Sequence, residues 1–228
     1  MEKALRTFPL GSSGEPDGVT PQHLRDLLSD TNDDNLRTSI TDFDLRTSIA
    51  DFVNVLLAGN LPTEVNEIIY GGRLMALQKK GGGIRPIAVG YMWRRLEAKC
   101  ANRHVMSRIS TALQPTQVGV RVSGGAEVAI HATRRYVKQL PDNHVIVKLD
   151  FNNAFNSVRR DLVLNSKADN TPRTLSLCVR FFLMQPNIDV DTQLIRSREG
   201  FQQGDPLSLL AFCDAVHPTL TSLDSSLV

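Results

Sequence analysis

The sequence predicts an α+β fold, and three observations carry that reading. Segments with the helical 3.6-residue period and short apolar runs of strand type alternate irregularly along the 228 residues. The hydrophobic share of 41% and the charged share of 22% are those of an ordinary water-soluble protein. An apolar run, Val145-Ile146-Val147-Lys148-Leu149, ends in an acid at Asp150, and further on a Gly-Asp-Pro turn opens a helix.

The elements follow in order. Residues 1–19 are rich in Gly, Pro and Ser and are expected to be irregular. Thr20 before Pro21 is a good N-cap and first-position pair, starting a helix to about Leu28. A tandem repeat follows: Leu36-Arg37-Thr38-Ser39-Ile40-Thr41-Asp42-Phe43-Asp44, then Leu45-Arg46-Thr47-Ser48-Ile49-Ala50-Asp51-Phe52-Val53. Two such copies are too few and too short for a solenoid and read as a duplication. The second copy continues as an amphipathic helix, with Leu45, Ile49, Phe52, Val53, Leu56 and Leu57 on one face and Gly59 as its stop.

Residues 73–80 and 84–89 form a hairpin about Gly81-Gly82-Gly83. Residues 91–113 form a helix whose flank carries Arg94, Arg95, Lys99, Arg103 and Arg108, ended by Pro115. A second basic helix runs over 125–140 with Arg134, Arg135 and Lys138. A strand over 144–150, helices over 158–166 and 172–184, a strand over 187–195 and a helix from Pro206 complete the chain.

No apolar run reaches the roughly 18 residues of a membrane span. The start, Met1-Glu2-Lys3-Ala4-Leu5-Arg6, shows no secretory pattern, so no membrane association and an intracellular site, cytoplasmic or nuclear, are expected. Cys100, Cys178 and Cys213 lack C-x-x-C spacing and read as small buried hydrophobes. His23, His104, His131, His144 and His217 show no zinc spacing, and no Gly-Lys-Ser/Thr follows Ser123-Gly124-Gly125 to make a phosphate loop.

The net charge of +2 conceals an asymmetry: residues 1–72 carry −7, residues 73–138 carry +11 and residues 139–228 carry −2. The basic stretch suits a phosphate backbone, and a solvated helix face would give the same count.

Four of the five residues before Asp150 are apolar, so the strand is expected to be buried on both faces. An ionised carboxylate at its exit needs a cation or good donors. Asp150 can hold a divalent metal with the Phe151 carbonyl beside it, or begin an Asx turn. Phe155 can lie beside whatever such a metal holds, or pack in the core. In Gln203-Gly204-Asp205-Pro206, Asp205 is expected chiefly to cap the helix. A cap does not require the preceding Gln-Gly pair: Gln203 can bond a sugar or base edge, and Gly204 permits close backbone approach.

The pattern resembles the reverse transcriptase domain of retrotransposons lacking long terminal repeats. Gly14-Glu15-Pro16-Asp17-Gly18 is similar to the family's Gly-Pro-Asp-Gly segment with Glu15 inserted. Lys79, Lys80 and Arg85-Pro86-Ile87 resemble its basic finger hairpin, and Gln117-Val118-Gly119 resembles a template-side loop. Residues 147–156, Val-Lys-Leu-Asp-Phe-Asn-Asn-Ala-Phe-Asn, match its first catalytic motif, and Gln203-Gly204-Asp205-Pro206-Leu207-Ser208 match the next.

The resemblance implies a polymerase right hand, reduced to fingers and part of a palm, with no thumb. An N-terminal segment (1–30), a fingers-like region (31–140) and a partial palm (141–228) are expected. It implies Mg²⁺, or Mn²⁺, held by Asp150 and Phe151, and nucleotide contacts from Lys79, Lys80, Arg85, Gln203 and Gly204. Phe155 becomes a steric gate against a ribose 2′-hydroxyl, and Gln117 and Gly119 bind template. The implied partners are an RNA template, a DNA primer and dNTPs.

Two departures qualify this. Leu209-Leu210-Ala211-Phe212 continues the helix where the family often has Pro or Gly, and Asp214 is expected to face solvent. No aromatic-x-Asp-Asp sequence occurs: Asp33-Asp34 lies in the wrong region and Asp224 stands alone. The expectation is a chain that stops short of that motif and does not polymerise by itself. The rival reading is a catalytically dead or domesticated nucleic-acid-binding fragment. An RNA-dependent RNA polymerase is disfavoured by Phe155.

Overall fold

The computed structural model describes residues 1–14, 17–29, 39–161, 187–190 and 193–226. The helix expected over 172–184, most of the one over 158–166, Cys178, Glu15, Pro16 and the start of the tandem repeat lie outside these residues.

Eight helices and four strands are present among the described residues. They are α1 (Glu2–Leu5), α2 (Pro21–Leu28), α3 (Ser39–Ala58), α4 (Thr63–Ile69), β1 (Gly72–Gln78), β2 (Ile84–Gly90), α5 (Met92–Leu113), α6 (Gly125–Val137), α7 (Ala154–Ser157), β3 (Asn187–Val190), β4 (Gln193–Arg196) and α8 (Ser208–Ser226). None of the described helices is long and apolar enough to cross a membrane.

Local chemistry explains most boundaries. Thr20 caps α2 by accepting from His23 N at 3.2 Å, while His23 Nδ1 accepts from Thr20 N at 3.3 Å. His23 thus completes a capping box in the place usually taken by Glu. Gly59, at φ 69°, ends α3 in the left-handed region. The segment before Thr20 is less irregular than expected, because α1 buries Ala4 and Leu5.

The sheet has the order β2-β1-β3-β4. β1 and β2 are the expected hairpin, antiparallel from Gly72 opposite Gly90 to Gln78 opposite Ile84. β3 joins β1 in parallel at Gly72 and Arg73, and β4 returns antiparallel to β3. In place of the single strand expected over 187–195 there are two antiparallel strands, β3 and β4.

α5 is the axis of the core. Its first turns pack Met92 and Leu96 with Ala4, Leu5, Phe8, Leu24, Ile49 and Val53. Its later turns pack Ala98, Val105, Ile109 and Leu113 with Phe201, Leu207, Leu210 and Ala211. Each such fully buried Leu, Val or Met side chain contributes about 2 kcal/mol by removal from water.

The expected basic flank of α5 is corrected here. Arg94 is buried, Arg95 and Lys99 are half-buried, and Arg103 and Arg108 are exposed. Arg95 and Lys99 lie over the Phe8 ring, 5.2 and 4.5 Å from its centroid, and so fasten the N-terminal segment to the core. Asp214 is also corrected: it is buried on α8 rather than facing solvent.

The largest correction concerns residues 144–150. They form no strand, and Val147 and Leu149 are each 71% exposed. A strand exists only through hydrogen bonds to a neighbour, and none of the four described strands pairs with this segment. The apolar run is real; the burial inferred from it is not seen.

Candidate functional site

A cavity of about 490 Å³ opens where three segments meet: the β1–β2 hairpin, residues 153–155 and the turn entering α8. Lys79, Arg85 and Pro86 come from the hairpin, Asn153, Ala154 and Phe155 from the middle segment, and Gln203, Gly204, Asp205, Ser208 and Leu209 from the turn and helix.

The second and third segments are laced together directly. Phe201 N donates to Phe155 O at 2.6 Å, and Gly200 N donates to Val158 O at 3.1 Å. Gly200 adopts φ 64°, and a side chain there would collide with the backbone of Asn156. Arg160 seals the junction. Its guanidinium donates to Gly200 O, Ser197 O and Ser197 Oγ, each at 2.6 Å, and to Glu199 O at 3.0 Å. Burial lowers its pKa to about 10, so it stays charged at neutral pH.

Gly204 has φ 101°, and a Cβ there would meet Ile87 Cγ2 at 3.3 Å. Glycine is needed for the turn to sit against the hairpin. Asn153 is left-handed too, at φ 50°, a conformation asparagine tolerates better than most residues. Both features open short backbone turns toward the cavity.

Phe155 is half-buried and stacks on Phe212 of α8, with centroids 4.9 Å apart and planes 26° apart. It lines the cavity and also packs against the core, so the two readings of its role are compatible.

Asp205 does more than cap. One carboxylate oxygen, Oδ1, accepts from Leu207 N at 2.8 Å, as a cap requires. The other, Oδ2, lies 2.7 Å from Arg94 Nη2, with the two side chains 4% and 5% exposed. Behind this pair, Tyr70 donates its hydroxyl to Glu97 Oε2 at 3.1 Å. Burial pushes the Glu97 carboxyl up to about 7.

The expected site residues therefore separate. Lys79, Arg85, Phe155, Gln203 and Gly204 converge on one cavity. Lys80 is exposed beside the hairpin turn and does not line it. Gln117 is tied to α8, donating to Cys213 O at 2.8 Å and meeting His217 Nδ1 at 3.3 Å. Gly119 is exposed, and neither residue reaches the cavity. Asp150 and Phe151 are exposed on the irregular segment and do not line it either.

The described residues contain no group of three His, Cys, Asp or Glu side chains able to hold a metal. Asp150, the acid the resemblance assigns to a metal, stands exposed on the irregular segment. Sequence reasoning missed Arg94 and Arg160. Asp150's neighbourhood carries a recognisable motif, whereas Arg94 sits in a basic helix flank and Arg160 in no motif at all.

Residues 77–227 match a protein-family model described as reverse transcriptase (RNA-dependent DNA polymerase). No curated protein matches the chain.

Proposed function

Since the chain belongs to the reverse transcriptase family, we propose that its cavity is the nucleotide site of an RNA-directed DNA polymerase of the type found in retrotransposons without long terminal repeats. One observation carries this: two cations of the hairpin, an aromatic ring and a Gln-Gly turn, far apart in sequence, line the same cavity. Lys79 and Arg85 meet the triphosphate, where fixed positive charge stabilises phosphoryl transfer. Gln203 and the Gly204 backbone orient the sugar and base. Phe155, held by Phe212, occupies the space a 2′-hydroxyl would need.

The family generally uses divalent metals such as Mg²⁺, and such an ion would supply positive charge to the phosphoryl transfer. Asp150, with the Phe151 carbonyl, would hold such an ion. The partners are an RNA template, a DNA primer and dNTPs, placed between a fingers-like region (31–140) and a partial palm (141–228) of a right-hand fold. Gln117 and Gly119 stand on the template side. The location is intracellular. A two-metal site needs more carboxylates than the described residues bring together, and in our reading this chain by itself binds nucleotide without polymerising.

Equilibrium binding of dNTP with Mg²⁺ to the purified chain tests this. Lys79→Ala and Arg85→Ala should each weaken binding about tenfold, as loss of one charged hydrogen bond does. Equal affinity in both variants would remove the cavity from consideration.

A further inference from the structure

The Arg94–Asp205 pair has a geometry that capping does not explain. Oδ1 of Asp205 already satisfies Leu207 N at the entry to α8, a task asparagine would perform equally well. The second oxygen is spent on Arg94, at 2.7 Å, in a place almost closed to water. Removing two charges from water is costly, and apolar residues of similar shape often give equal or greater stability. Net stability is therefore a poor reason for the pair.

Arg94 is itself held from the far side. Its Nη1 donates to Tyr70 O at 2.6 Å, and its guanidinium carbon lies 5.8 Å from the Tyr70 ring centroid. The planar fork thus bridges the end of α4, the start of α5 and the turn before α8. Asp205 is the next residue after Gln203-Gly204, whose backbone lines the cavity.

We infer that Arg94 is a positioning residue for the nucleotide cavity: through Asp205 it fixes the Gln203–Gly204 backbone against the hairpin and Phe155. The inference rests on the nucleotide reading of that cavity. Arg94 does not line the cavity; it acts on the turn and leaves the helix cap to Asp205 Oδ1.

The test compares Asp205→Asn with the double variant Arg94→Met/Asp205→Asn, using dNTP binding with Mg²⁺, thermal unfolding, and hydrogen exchange at the Leu207 and Ser208 amides. Asp205→Asn keeps a cap but strands a buried guanidinium, and is expected to lower the melting temperature. The double variant removes the stranded charge and should recover most of that loss. Its dNTP affinity should nevertheless stay at least about tenfold below that of the unmodified chain, with faster exchange at both amides. A purely structural pair would recover affinity together with stability. Unaltered affinity and exchange in the stable double variant overturn the inference.

Arg94→Lys, which keeps the charge but not the fork, provides a second reading should the double variant not fold. It too should weaken binding and speed exchange, and unchanged values for both would count against Arg94. Failure of the unmodified chain to bind dNTP would defeat the nucleotide reading instead. Exchange at Leu207 and Ser208 would still decide what Arg94 does.

Discussion

Phe155 and Phe212 stack at 4.9 Å, one ring from the segment beside the cavity and the other from α8. The contact fixes where the Phe155 ring stands in the cavity, and in the proposed reading that sets the room for a sugar. An aromatic held on one face excludes more reliably than one free to rotate, because little rotamer freedom remains to be lost.

If the cavity takes the incoming nucleotide, Phe155→Ala should relax discrimination between dNTP and rNTP. Phe212→Ala should relax it partially, by freeing the ring rather than removing it. Ratios of kcat/KM for the two sugars measure both effects. An unchanged ratio in Phe155→Ala would refute the gate.

Glu97 makes stability depend on pH. Burial raises its carboxyl from about 4.5 to about 7. The folded chain therefore binds this proton more tightly than the unfolded one, and the stabilisation is complete below about pH 4.5. It is lost as pH rises to about 7, by an amount on the order of a few kcal/mol. Glu97→Gln should flatten this decline in chemical-denaturation curves recorded from pH 4.5 to 8. A decline of the same size in the variant would assign it to another group.

Arg160 should prove costly to replace. It is buried and serves four backbone or side-chain acceptors that join residues 197–200 to the segment carrying Phe155. Arg160→Met leaves those acceptors unpaired and should destabilise the fold by about 3 kcal/mol. Thermal unfolding measures this, and a loss below about 0.5 kcal/mol would show the clamp to be idle.

The exposed face of α6 gathers Arg134, Arg135 and Lys138 around an open groove with His131. If this face carries template, binding of single-stranded RNA should weaken as salt rises. Replacing the three cations with Ala should reduce the slope of log K against log salt by about two. An unchanged slope would move the nucleic-acid track elsewhere.

Helices and hairpin turns were legible in the sequence because their causes are local. Thr20-Pro21, the glycines at 81–83 and the apolar face ending at Gly59 each act within a few residues. The cavity was legible in part: Lys79, Arg85, Phe155, Gln203 and Gly204 were expected together and line one space. What escaped was non-local. Residues 145–149 have a strand's composition, but strand formation depends on a neighbour that composition does not specify. Arg94 reads as part of a basic helix flank and Arg160 carries no local signal, because their acceptors, at Asp205 and at residues 197–200, are distant in sequence. Gln117 fits a loop motif, yet its amide serves α8.

The most direct test is to photocrosslink an azido-substituted dATP with Mg²⁺ to the purified chain and map the adducts by mass spectrometry. The account predicts labelling confined to peptides spanning 73–90, 153–155 and 203–209, competed away by unmodified dNTP. Adducts confined to the basic face of α6, or labelling that excess dNTP leaves untouched, would contradict it.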